Sequence, residues 1–116
     1  MIPYGKHNVK LTEALRVAWQ IRFHSLTQGS KISEFERVVA KYVGANYAVA
    51  VSSATAGLHI AMLALDLPQN SKVITSPISF VASSNSILYA GHHPLFVDID
   101  TQTLNLDLDL VEKQVQ

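Results

Sequence analysis

At 116 residues, 48% of them hydrophobic, the chain has the length of one compact domain and enough apolar side chains for one core. Nine basic residues balance nine acidic ones with no Lys/Arg block, which argues against nucleic acid or an anionic membrane as the main partner. Cysteine is absent, so a disulfide framework, a thiolate metal site and a catalytic thiol are excluded.

The opening "MIPYGKHNVK" lacks the basic start and apolar stretch of a signal peptide, and no later apolar run reaches membrane-span length. The expected location is cytoplasmic. "LTEALRVAWQIRF" places Leu11, Leu15, Ala18, Trp19 and Arg22 on one helical stripe, and "HSLTQGS" reads as an irregular connection. "SEFERVVAKYVG" opens with the capping-box pair Ser33 and Glu36, aligns Phe35, Val38, Val39, Tyr42 and Val43 on one face, and ends at Gly44.

From Tyr47 onward, short apolar runs alternate with helical ones. "YAVAV" reads as a buried strand, Thr55 to about Asp66 as a helix, and "KVITS" as a second strand. Phe80 to Ala90 reads as a helix stopped by Gly91, and "PLFVDI" as a third strand. "NLDLDLVEKQVQ" reads as a further helix with Asp107 as its cap. Repeated β-α steps predict an α/β fold, a parallel sheet flanked by helices.

In such a sheet, ligands bind beyond the carboxyl ends of the strands, where loops enter helices. Ser52 to Ala56 fall at that edge. Small residues there let an anion approach unpaired helix N–H groups, and the Ser53 and Thr55 hydroxyls add donors, so the segment suits a phosphate. It is neither a Walker loop nor a dinucleotide fingerprint, because the glycines and lysine of those motifs are missing. The same residues also suit a plain helix cap. "TSPISFVASSN" turns at Pro77 and delivers Phe80 to the same edge, as a platform for a flat ring or as a core residue. Ser83 and Asn85 face that edge too, with no role assigned. His59 reads as a packed or partly exposed helix residue rather than a base, and His92-His93 as a loop rather than a metal site.

Three stretches, "AVAVSSATAGLHIAMLAL", "VITSPISFVASSNSILYAG" and "PLFVDIDTQTLNLD", resemble in that order the N-terminal part of the DegT-type sugar aminotransferases, which use pyridoxal 5′-phosphate. "IPYG", "LTQG" and "SPISFVASSN" are most similar to the branch that aminates a UDP-linked 4-keto-6-deoxy sugar, an altrosamine, toward pseudaminic acid. The resemblance implies the fold-type-I (aspartate aminotransferase-like) large domain, with residues 1–46 a helical segment and residues 47–116 part of the cofactor-binding domain. It implies that Ser53, Ala54 and Thr55 hold the cofactor phosphate, and that Phe80 stacks on the pyridine ring. Thr27, Gln28 and Gly29 are then substrate-side residues. The implied partners are a nucleotide sugar, an amino donor such as L-glutamate, and a second copy in a homodimer.

Lys6, Lys10, Lys31, Lys41, Lys72 and Lys113 all match non-catalytic family positions, so the chain is expected to stop before the Schiff-base lysine and to be inactive alone. Asp98 and Asp100 match a strand end whose role looks structural. In the family's seven-stranded sheet, the strand matching Tyr47 to Val51 is separated from the other two by later strands. A segment holding only these three is expected to leave a gap and expose apolar edges. The alternative function is a non-catalytic phosphate-ligand or interaction module.

Overall fold

The computed structural model describes residue 5, residues 8–27 and residues 29–115, which form two compact units, Met1–Ala50 and Val51–Gln116. In the first, α1 spans Leu11–Phe23 and α2 spans Ser30–Val43. α1 starts where the Lys10 backbone N–H donates to Glu13 Oε2 at 2.9 Å, which satisfies a donor at the helix entrance. At its other end Trp19 stacks obliquely on Phe23 and His24, with ring centroids 5.9 and 4.4 Å away, and the Arg22 guanidinium lies 5.3 Å from the Phe23 centroid. The expected stripe forms but buries nothing: Leu11, Leu15 and Trp19 are exposed.

α2 begins three residues before the expected capping box, with Gly29 as its N-cap. Ser33 is therefore inside the helix. Glu36, freed from capping, accepts the Ala50 N–H at 2.8 Å, a bond between residues fourteen apart in sequence. The end at Gly44 is as expected. Its φ of 72° suits glycine, and the Ala45 N–H reaches back to the Ala40 carbonyl at 2.9 Å. Ala40 is buried, whereas Phe35, Val38, Tyr42 and Val43 of the expected apolar face are exposed.

The second unit is built on one β-α-β step. α3 spans Ala54–Ala64, β1 Lys72–Thr75, α4 Ala82–Tyr89, β2 His93–Phe96 and α5 Leu108–Val115. β1 and β2 pair in parallel, with Lys72 opposite His93 and Thr75 opposite Phe96. α4 is the crossover, as a parallel pair requires. His93 and Val97 donate to Ser71 and Thr75, so the residue between donors, Pro94, has its missing N–H on the side away from β1. Ala82, Ser86 and Ile87 of α4 are buried, and so is Val97 just past β2. Gly91, at φ 81°, turns the chain from α4 into β2.

Two expectations need correction here. Tyr47 to Val51 form no strand, and Tyr47, Val49 and Val51 are exposed. A strand exists only where a neighbour completes its ladder, and the described residues pair β1 with β2 alone. The histidine pair is also more than a loop: His93 opens β2, and His92 is buried with Nδ1 unpartnered.

After β2 the chain closes a small antiparallel bridge between Ile99 and Leu106. Asp100 Oδ1 accepts from the N–H groups of Gln102 and Thr103 and from the Thr103 hydroxyl. These bonds hold its carboxyl below the ordinary carboxylate value, the Thr103 N–H most of all. That is a turn-forming role, as expected. Asp107 Oδ1 accepts from Asp109 and Leu110 N–H at 3.0 and 3.2 Å, which makes it the cap expected for α5.

Candidate functional site

Ser53, Ala54, Thr55 and Phe80 all fall in the unit Val51–Gln116. Ser53 has extended backbone, φ −162° and ψ 163°, and its Oγ accepts the Ala56 N–H at 3.2 Å. Capping is therefore one of its jobs. An oxygen that accepts in this way keeps its own O–H free to donate. Ala54 and Thr55 open the helix, where N–H groups have no carbonyl one turn back to bond. The first turn carries no acidic residue that would repel an anion. Ser52, Ser53 and Ala54 are exposed, and Thr55 is half-buried. Here the backbone can be approached, and the dipole end and hydroxyls are complementary to an oxyanion.

Phe80 follows the carboxyl end of β1 and precedes α4, and in this chain its side chain is 75% exposed. An aromatic face open to solvent at the loop side of the sheet can stack on a planar ring. α3, which opens at Ala54 and Thr55, packs along α4, with the His59 ring edge-on to Tyr89 at 5.5 Å. His59 is thus a packing residue, as expected. An apolar hollow of about 310 Å³ runs between α3, β1 and α4, bordered by Leu58, Met62, Ile74, Thr75, Ser83 and Ile87.

The positions expected on the substrate side, Thr27 to Gly29, fall in the other stretch of sequence, Met1–Ala50. Thr27 is exposed, and Gly29 caps α2; a Cβ there would lie 3.3 Å from the Ser25 carbonyl oxygen, so glycine has a packing reason to be at this position. Gln28 lies outside the described residues. Among the described residues no group of histidines and carboxylates is arranged to hold a metal ion, and no helix is long and apolar enough to cross a membrane.

Sequence reasoning left the serines around Phe80 without a role. Ser76 Oγ accepts from Ile78 N–H at 3.1 Å, and the Ser79 and Ser83 hydroxyls are 3.2 Å apart. The signal was the serine at each corner of "SPISFVAS", which is the spacing of side-chain-to-backbone turn bonds.

Residues 8–116 match the model of the DegT/DnrJ/EryC1/StrS aminotransferase family. The chain is 41% identical over 104 residues to the spore coat polysaccharide biosynthesis protein SpsC of Bacillus subtilis, which covers 89% of this chain and 25% of that protein. It is 36% identical over 102 residues to the UDP-4-amino-4-deoxy-L-arabinose–oxoglutarate aminotransferase of Shewanella sediminis, covering 88% of this chain and 25% of that one. It is similar in structure to Spr1654 of Streptococcus pneumoniae in its PLP form, with a TM-score of 0.89 and 30% identity over 97% of this chain and 29% of that one. The chain spans about a quarter of the length of the curated relatives it matches.

Proposed function

Because the chain belongs to the DegT/DnrJ/EryC1/StrS aminotransferase family, we propose that it is the N-terminal segment of a pyridoxal-phosphate-dependent sugar aminotransferase. In this reading the complete enzyme transfers an amino group from L-glutamate to a nucleotide-linked 4-keto-6-deoxy sugar. The UDP-linked precursor of pseudaminic acid is the specific substrate favoured by "SPISFVASSN". A UDP-linked sugar and oxoglutarate in the name of the Shewanella relative support that substrate class. Residues 1–46 are the helical segment and residues 47–116 the start of the cofactor domain, in a cytoplasmic homodimer.

The observation that carries this reading is the pairing, within one unit, of an open, uncharged helix entrance at Ser53–Thr55 with an exposed ring at Phe80. Phosphate oxygens fit the first and a pyridine face fits the second. The Ala54 and Thr55 N–H groups would bind the phosphate, and the Thr55 hydroxyl would add a donor. Ser53 would hold the first turn through Ala56 while its O–H points a further donor to the anion. Phe80 would fix the plane of the ring by stacking. Bound pyridoxal phosphate supplies the electron sink that amino transfer requires. Thr27, Gln28 and Gly29 would orient the sugar. No lysine of this chain is assigned to covalent chemistry, so these residues bind and orient, and they do not turn substrate over by themselves.

Titration of the 116-residue chain with pyridoxal 5′-phosphate, followed by absorbance and then borohydride, tests this. The expected outcome is reversible binding that Thr55→Val and Phe80→Ala weaken, with no single lysine fixed by reduction. Stoichiometric fixation at one lysine would overturn the lysine assignment. Binding indifferent to both substitutions would favour the alternative, a phosphate-ligand or interaction module.

A further inference from the structure

We propose that Ser76, together with the Ser79–Ser83 hydroxyl pair, positions the Phe80 ring, an inference that rests on Phe80 being the platform for the cofactor ring. β1 ends at Thr75 and α4 begins at Ala82, so the loop between them carries the ring. Packing does not hold it there, because the side chain is 75% exposed. Nor does a helix cap, since the residue at the N-cap of α4 is Val81, with no side-chain bond. The orienting forces are therefore the hydrogen bonds of the loop itself.

Those bonds grip Phe80 from both sides. Before it, Ser76 Oγ accepts the Ile78 N–H at 3.1 Å and closes the corner that Pro77 opens with its fixed φ. Across it, the Ser79 hydroxyl meets the Ser83 hydroxyl at 3.2 Å, which ties the residue before the ring to the first turn of α4. Behind it, the Ser83 N–H donates to the Phe80 carbonyl at 3.0 Å. Ser83 is thus bonded on both its backbone and its side chain to the two residues that set the ring's direction. A ring ordered before its partner arrives loses less conformational freedom on stacking, so the hydroxyls act on binding through Phe80 and not by touching the ligand.

The test is aromatic ¹³C relaxation and amide exchange on the full chain, for Ser76→Ala, Ser83→Ala and Ser76→Thr, with pyridoxal 5′-phosphate affinity measured alongside. Ser76→Ala is expected to speed Ile78 amide exchange roughly fivefold, the change one ordinary hydrogen bond sustains. It should also lower the order of the Phe80 ring and weaken affinity in the same direction as Phe80→Ala. Ser76→Thr, which keeps the hydroxyl, should restore all three, and amides in the last turn of α4 should not change. An unchanged ring order in both alanine variants overturns the inference. So does a loosened ring with unaltered affinity where Phe80→Ala weakens it. If Phe80→Ala itself leaves affinity unchanged, the platform reading has failed, and the positioning role falls with it.

Discussion

The two units meet the requirements of a fold in opposite ways. In Met1–Ala50 the helices are well specified by local signals, yet α1 buries no residue and α2 buries only Ala40. In Val51–Gln116 the elements are shorter, but α4 alone buries Ala82, Ser86 and Ile87 against a parallel strand pair. A helix's existence and its burial are separate matters. Capping and periodicity decide the first, and the presence of something to pack against decides the second. The candidate cofactor residues, Ser53 to Thr55 and Phe80, are in the unit where both conditions are met. A phosphate cradle and a ring platform need a frame that packing keeps in place.

The contrast can be broken most strongly at Ile87. Ile87→Ala should destabilise the second unit by about 2–5 kcal/mol, because it empties a position that is 3% exposed. Urea unfolding followed by circular dichroism would read it, and a loss below 1 kcal/mol would mean that α4 is not the centre of a real core. Next comes Gly44→Ala, where a Cβ is placed at φ 72° in the left-handed region. That change should cost about 1–2 kcal/mol of local stability by the handedness penalty, seen as faster amide exchange in the last turn of α2. A milder effect is expected on acidification. The Asp100 carboxyl titrates below its ordinary value of 3.8 because its charged form is hydrogen-bonded, so its contribution is complete above that value and lost as the pH falls toward the lowered one. Protection of the Gln102 and Thr103 amides, measured against the intrinsic exchange rate at each pH, should therefore fall in acid, and Asp100→Asn should abolish that acid dependence. Smallest of all, Tyr42→Ala should shift stability by no more than about 0.5 kcal/mol, since the side chain is 90% exposed. A larger loss would show that the α2 face is covered in solution.

The helix ends show how far local reading reaches. Gly44 and Asp107 were legible because a left-handed stop and an Asp cap are formed by neighbours in the chain. Ser33 and Glu36 had the right spacing and were still misread as a helix start. Gly29 starts α2 earlier, and Glu36 finds a distant backbone donor at Ala50, which no pattern within the helix reveals. At the candidate site, Ser53 was legible both as a cap and as a possible anion donor, and the structure has it capping. The exposure of Phe80 was not legible. A phenylalanine at a helix start packs inward or faces solvent according to what surrounds it, and sequence spacing is the same in both cases.

By itself, then, the sequence determined the elements whose causes are local: the five helices, the Gly44 stop, the Asp107 cap, the small-residue entrance to α3 and the corner at Pro77. Tertiary structure decided which apolar segments become buried strands and which polar atoms stay unpartnered. β1 and β2 have each other, while Tyr47 to Val51, with the stronger β-forming composition, has no ladder partner among the described residues and forms no strand. His92 is buried where α4 and β2 meet around Gly91, its N–H bonded to the Ile87 carbonyl at 3.0 Å. The physical reason is common to both. Caps and turns are satisfied by residues a few positions apart, whereas a ladder or a core is satisfied only by chain that folding brings in from elsewhere.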